Sequence, residues 1–126
     1  MLGDNNSHAD IATKDIAKAR RFYGDELGLK EIKREENGDT IYQSGASFIK
    51  VYQSDSAGTN QATYMSWDVD DVGTTVDELK SKGINFEHYI MPGVNLEGDV
   101  HVIGRERAAW FKDPDGNILC VGSEVV

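Results

Sequence analysis

The sequence predicts an α+β fold made of two β-α-β-β-β modules whose mixed sheets form a cup. Three observations lead there. First, the chain repeats itself: "SHADIATKDIAKARRFYGDELGLKEI" and "TYMSWDVDDVGTTVDELKSKGINFEH" share one order of features, with period-two alternation, an Asp, helical spacing and a stop at Gly-aliphatic. Second, each repeat runs on into strand-like segments bounded by turn residues. Third, a sheet bearing one helix buries one face against it, so two such sheets have two further faces with which to build a concavity.

The elements follow in order. Alternation through His8–Thr13 predicts a first strand, with Ala9, Ile11 and Thr13 toward the helix and His8, Asp10 and Ala12 on the other face. Asp15 stands where a side-chain oxygen caps a helix by accepting from an orphan N–H. Lys18 takes the third helical position, so no capping box forms. Ile16, Ala19, Tyr23 and Leu27 make one apolar face, and Gly28 ends the helix. "LKEIKRE", "TIYQSG" and "SFIKVYQ" complete the first module; in the last of them Phe48, Lys50 and Tyr52 share a face with Ile49 and Val51 behind. The linker is "SDSAGTNQA", residues 54–62, between a module at about 7–53 and another at about 63–123.

The second module begins with Met65, Trp67 and Val69 toward its helix and Tyr64, Ser66 and Asp68 away from it. Asp71 caps, Thr74 excludes a capping box, Val72, Val76 and Leu79 face the core, and Gly83 stops the helix. Strands are predicted at "INFEHYI", "RAAWFK" and "NILCVG", with "MPGVNLEGDVHVIG" as a long loop over one end of the sheet. In "KDPDGN", Pro114, Asp115 and Gly116 suit a type I turn with a glycine bulge.

Composition narrows the function. A chain of 126 residues is one ordinary domain with a real core. A single Cys permits no internal disulfide, and "MLGDNNSHAD" lacks the basic flank and apolar stretch of a secretory signal, so a cytoplasmic location is expected. Apolar runs such as "AAWF" are far too short to span a bilayer. A net charge of −9 argues against nucleic acid as a partner and favours cationic ligands wherever the field is focused in a cleft.

The segments "KDIAKARRFYGDELGLKE" and "WFKDPDGNILCVG", with the repeat and its spacing, resemble the glyoxalase, bleomycin-resistance and extradiol dioxygenase superfamily, the vicinal oxygen chelate fold, from about Ser7 to Gly122. The resemblance implies modules paired across a homodimer and, in metal-dependent members, up to four ligands on the first and last strands of each module. His8 matches the first of these positions. The other three carry Lys50, Tyr64 and Cys120. A charged ammonium has no lone pair, phenol is a poor ligand near neutral pH, and one His with one Cys falls short of the usual three or four zinc ligands. His88 and His101 fall in the sixth strand and the long loop, outside the pattern. No metal or other cofactor is therefore expected.

The inferred ligand-binding lining is His8, Asp10, Phe48, Lys50, Tyr52, Tyr64, Ser66, Asp68, Ile118 and Cys120. Aromatic rings beside carboxylates suit a cationic, ring-bearing ligand. The same acids could instead pair with Lys50, and the tyrosines could simply fill the cup. Cys120 reads either as a small buried hydrophobe or, with His8 or Lys50 as activator, as a nucleophile. The expected function is a small-molecule binding protein that sequesters its ligand without a metal. The alternatives are a superfamily enzyme, whether a metal-assisted lyase, isomerase or dioxygenase or a Cys120-dependent variant, and an accessory domain that only dimerises.

Overall fold

A computed structural model describes residues 1–123. The chain forms two compact units, the first Met1–Thr59 and the second beginning at Asn60. After a short 3-10 turn at Leu2–Asp4, the first unit contains β1 (Ala9–Thr13), α1 (Ile16–Arg20), β2 (Lys30–Arg34), β3 (Thr40–Ser44) and β4 (Ser47–Gln53). Its sheet runs β1-β4-β3-β2, with β1 and β4 parallel and the other pairs antiparallel. Parallel neighbours need a crossover, and α1 supplies it.

Burial alternates along β4 as the sequence predicts. Ile11, Thr13, Ile49, Val51, Thr40 and Tyr42 are buried with Ala19, Phe22 and Tyr23. Asp10, Lys50, Ala12 and Tyr52 pair on the opposite face. The Asp15 carboxylate caps α1 by accepting from the Lys18 N–H at 3.1 Å. Beyond Arg20 the helix widens through Arg21–Glu26, where the Leu27 N–H reaches back to the Phe22 carbonyl at 2.9 Å, five residues away. The widened turn directs both Phe22 and Tyr23 inward, their rings edge to face at 5.0 Å. Regular helical spacing does not anticipate that pair.

The second unit holds β5 (Thr63–Asp68), α2 (Val72–Ser81), β6 (Phe86–Glu87), β7 (Asn95–Glu97), β8 (Val100–Ile103), β9 (Glu106–Lys112) and β10 (Ile118–Ser123). Its sheet order β5-β10-β9-β8 repeats that of the first unit, with β7 added at the edge. Asp71 caps α2 at the Thr74 N–H. Gly83 closes it in a left-handed conformation, with the Gly83 and Ile84 N–H groups returning to the Lys80 and Leu79 carbonyls. Val72, Val76, Ile84, Ala109, Phe111, Leu119 and Val121 form the core, where Phe111 stacks on Trp67 at 6.4 Å and meets Phe86 edge-on at 5.5 Å.

Two expectations need correction here. The strand expected at "INFEHYI" pairs only at Phe86 and Glu87, and the expected loop contains the hairpin β7-β8. β6 lies against Phe111 and Trp110, and β8 lies against residues 106–108 of the same edge, so two short strands share the work of one. The break follows from Pro92, which has no N–H to continue the ladder, and from Gly98, whose φ of +63° suits the first position of the two-residue hairpin loop. His101 accordingly stands on a strand.

The predicted turn before β10 is built around Asp113. Its Oδ1 accepts from the Asp115 and Asn117 N–H groups, each at 2.9 Å, and its Oδ2 from Asn117 Nδ2 at 2.8 Å, with Asp113 and Asn117 themselves buried. Asp113→Ala strands these donors, and urea denaturation should show a loss of about 2–4 kcal/mol. At the other turn, Asp99 accepts from Lys80 Nζ and meets His88 Nε2, each at 2.7 Å, tying the hairpin to α2. The Lys80 hydrogen bond, then that of His88, holds the Asp99 carboxyl below its ordinary value. A depressed folded-state value gives stability above the unfolded-state value that is lost as pH falls through the folded one. Asp99→Asn should therefore destabilise at neutral pH, and the difference from the parent protein should shrink below about pH 4.

Candidate functional site

Each sheet has a face turned away from its helix, and the predicted lining divides between the two. In the first unit, Asp10, Phe48, Lys50 and Tyr52 share that face, with His8 just before β1. His8 Nε2 lies 3.2 Å from Asp10 Oδ1, and Lys50 Nζ lies 3.8 Å from Asp39 Oδ2. Lys50 thus pairs with Asp39, a residue that strand alternation alone did not bring into view. Asn6, Ser7, His8, Ile41, Phe48 and Lys50 enclose a hollow of about 300 Å³. Phe48 leaves 47% of its surface exposed there, unlike Ile49 and Val51 of the same strand, which face the core.

In the second unit, Ser66 and Cys120 stand opposite each other in register, and Asp68 is opposite Gly122. Ile118 and Cys120 face Lys112 and Trp110 on β9. Tyr64 stands at an irregularity: Thr63 pairs with Ile118 and Met65 with Leu119, so Tyr64 is the extra residue of a bulge and simple alternation does not assign its face. Cys120 is 7% exposed, and burial pushes its thiol up, against the smaller opposing effect of the Ser66 hydrogen bond. A thiol kept protonated is a weak nucleophile.

The sequence reading missed an aromatic cluster on this second face. His101 meets Trp110 edge to face at 4.7 Å, and Tyr89 lies 5.5 Å from Trp110 and 6.0 Å from His101. The Tyr89 N–H donates to His101 Nε2 at 2.9 Å, and the Trp110 indole N–H donates to Thr63 Oγ1 at 3.1 Å. His101 Nδ1 and the Tyr89 hydroxyl are buried without hydrogen-bond partners among the described residues. Trp110 was within reach of the sequence, since counting outward from the "DPDG" turn places it opposite Cys120. His101 was not, because its strand was read as a loop.

The sequence model of the Glyoxalase/Bleomycin resistance protein/Dioxygenase superfamily matches residues 6–121. The chain belongs to that superfamily. Solved structures of similar fold include the glyoxalase family protein from Enterococcus faecalis, 17% identical with a TM-score of 0.72, the alignment covering 97% of this chain and 99% of that one. The fosfomycin resistance protein FosX from Listeria monocytogenes is likewise 17% identical, at TM-score 0.73 over 97% and 94% of the two chains. Lactoylglutathione lyase from Agrobacterium tumefaciens is 18% identical, at TM-score 0.71 over 95% and 93%. Comparison with curated proteins gives no match. No helix among the described residues is long and apolar enough to cross a membrane.

The metal that superfamily resemblance implies can be tested against the donors present. At the four matching positions stand one imidazole, one ammonium paired with Asp39, one phenol on a bulge and one buried thiol whose proton is held more tightly than usual. Among the described residues, no three His, Cys, Asp or Glu side chains converge. This donor set does not fit a divalent ion of the hard or borderline kind, which calls for oxygen and imidazole ligands. Iodoacetamide tests the state of the thiol: Cys120 should stay unmodified in folded protein at neutral pH and react promptly once the chain is unfolded in urea. Rapid modification of the folded protein would restore the nucleophile reading.

Proposed function

We propose that this chain is a small-molecule binding member of its superfamily that holds a cationic, ring-bearing ligand without a catalytic metal. The observation that carries the reading is the hollow around Phe48 in the first unit, a concave apolar surface with a half-exposed ring at its wall. Exposed aromatic area of this kind binds rings by burial and cations through the ring face. The charges close by favour a cation: Lys50 is balanced by Asp39, Asp10 adds a further carboxylate, and the whole chain carries −9. His8, Asn6 and Ser7 offer hydrogen bonds that orient the polar end of a guest. Sequestration requires affinity and no bond making, and the chain's one cysteine lies outside this hollow, buried and holding its proton. Pairing of two copies would let each ligand meet strands from both, as the resemblance implies.

The reading makes a charge-resolved prediction. In calorimetric titrations of the purified protein, benzylammonium should bind more tightly than benzoate, and Phe48→Ala should weaken benzylammonium by about three- to tenfold, the worth of one cation-π contact with its apolar area. Asp10→Asn should narrow the gap between the two probes. Thermal shift and metal analysis with Ni²⁺, Zn²⁺, Mn²⁺ and Fe²⁺ provide the opposing test: one tightly bound, stoichiometric ion would favour the enzyme reading instead.

A further inference from the structure

The helix side of the first sheet carries a second cavity, of about 370 Å³, unconnected with the hollow just described by any shared lining residue. Its walls bring Arg20 of α1, Arg21 and Asp25 of the widened turn, Glu31 and Arg34 of β2, and Tyr42 of β3 together. Two donors there are buried and lack hydrogen-bond partners among the described residues, the Tyr42 hydroxyl and Arg20 Nε. Tyr42 is only 1% exposed. Buried donors are almost always paired, because leaving one unmade forfeits its hydration without return. Two in one cavity point to a missing acceptor.

Glu31 shows what form that acceptor takes. Its Oε1 receives a hydrogen bond from Arg34 Nη2 at 2.9 Å but stands 3.9 Å from Arg20 Nε, beyond hydrogen-bond reach. Among the described residues, the Arg20 guanidinium makes only long bonds elsewhere, from Nη2 to the Gly38 carbonyl at 3.3 Å and to Thr40 Oγ1 at 3.5 Å. Glu31 therefore half-fills a seat between two guanidinium forks. It is poorly anchored in that seat, since every residue of β2 is exposed and the β2-β3 register slips between Glu31 and Lys33. The charges acting on the Tyr42 hydroxyl come from Glu31, Arg20, Arg34 and Asp25, which places the phenol within the same charged cluster.

We propose that this cavity binds a small oxyanion, a carboxylate or phosphate group, which displaces the Glu31 side chain and takes its place between Arg20 and Arg34, with the Tyr42 hydroxyl as a further donor. Guanidinium presents paired N–H groups at the spacing of two oxyanion oxygens, a match that an ammonium cannot make. The three arginines outnumber the two acids, and the guest removes one of those acids from the seat. Glu31 is the built-in competitor, so affinity is modest in the parent protein.

The experiment is amide NMR on the full chain, titrated separately with acetate and with inorganic phosphate, with chloride at matched ionic strength as the control. Saturable shifts at Arg20, Gly24 and Glu31 with either anion support the site, and the tighter of the two identifies the oxyanion class. Glu31→Gln should tighten binding by about threefold or more by removing the resident charge, Tyr42→Phe should weaken it by about threefold, and Arg34→Gln by about tenfold. Arg34 is 50% exposed, so its replacement leaves the core intact, and the same spectra report folding. Phe48→Ala should leave these titrations unchanged, separating this site from the aromatic hollow. Shifts no larger than those with chloride, or binding unaltered in both Glu31→Gln and Arg34→Gln, would overturn the proposal.

Discussion

A mixed sheet has two faces, and one helix covers only one of them. That constraint organises both units. In each, the first and last strands run parallel, so the chain must cross over between them, and the crossover helix lands on the face where Ile11, Ile49 and Val51, or Leu119, Val121 and Phe111, point. Because side chains alternate with period two, the residues between those core positions are delivered to the other face without further cost. The intervening letters therefore populate the face away from the helix: Asp10, Lys50 and Tyr52 in one unit, Ser66, Cys120 and Trp110 in the other.

Much of this could be read directly from the sequence. The repeat, the two aspartate caps, the glycine stops and the "DPDG" turn are local signals, each set by a few neighbouring atoms, and the structure contains all of them. What escaped depends on pairing at a distance. Whether "INFEHYI" or "VHVI" fills the edge of β9 depends on which segment reaches it, and Pro92 and Gly98 decide that by breaking the chain twice within a few residues. The bulge at Tyr64 and the widened turn after Arg20 are likewise irregularities that no local sequence signal announces. An irregularity of one residue is invisible to periodicity and still changes which face a side chain occupies.

The candidate site shows the same division. Strand alternation placed His8, Asp10, Phe48, Lys50 and Tyr52 together, and it could do so because β1 and β4 are regular. It said nothing of Asp39, which meets Lys50 from beyond the end of β3, or of the Tyr89-His101-Trp110 cluster. Both change the chemistry: Asp39 balances the charge that would otherwise repel a cation, and the cluster gives the second face a set of rings with two buried polar atoms that find no hydrogen-bond partner among the described residues. Membership of the superfamily fixes the scaffold, while its structural relatives range from a fosfomycin resistance protein to a lyase, so chemistry must be argued from these side chains.

The outer strand β2 has one more consequence. Its residues Lys30, Glu31, Lys33 and Arg34 are all exposed along the rim of the sheet, where unmet backbone groups invite a stranger's strand to dock. Ammonium, carboxylate and guanidinium groups spaced along that rim make such docking unfavourable, because any incoming strand would have to strip water from them. The charged rim thus acts as a guard against amyloid-like stacking, and it leaves Ile32, the lone aliphatic residue among them, too isolated to seed it.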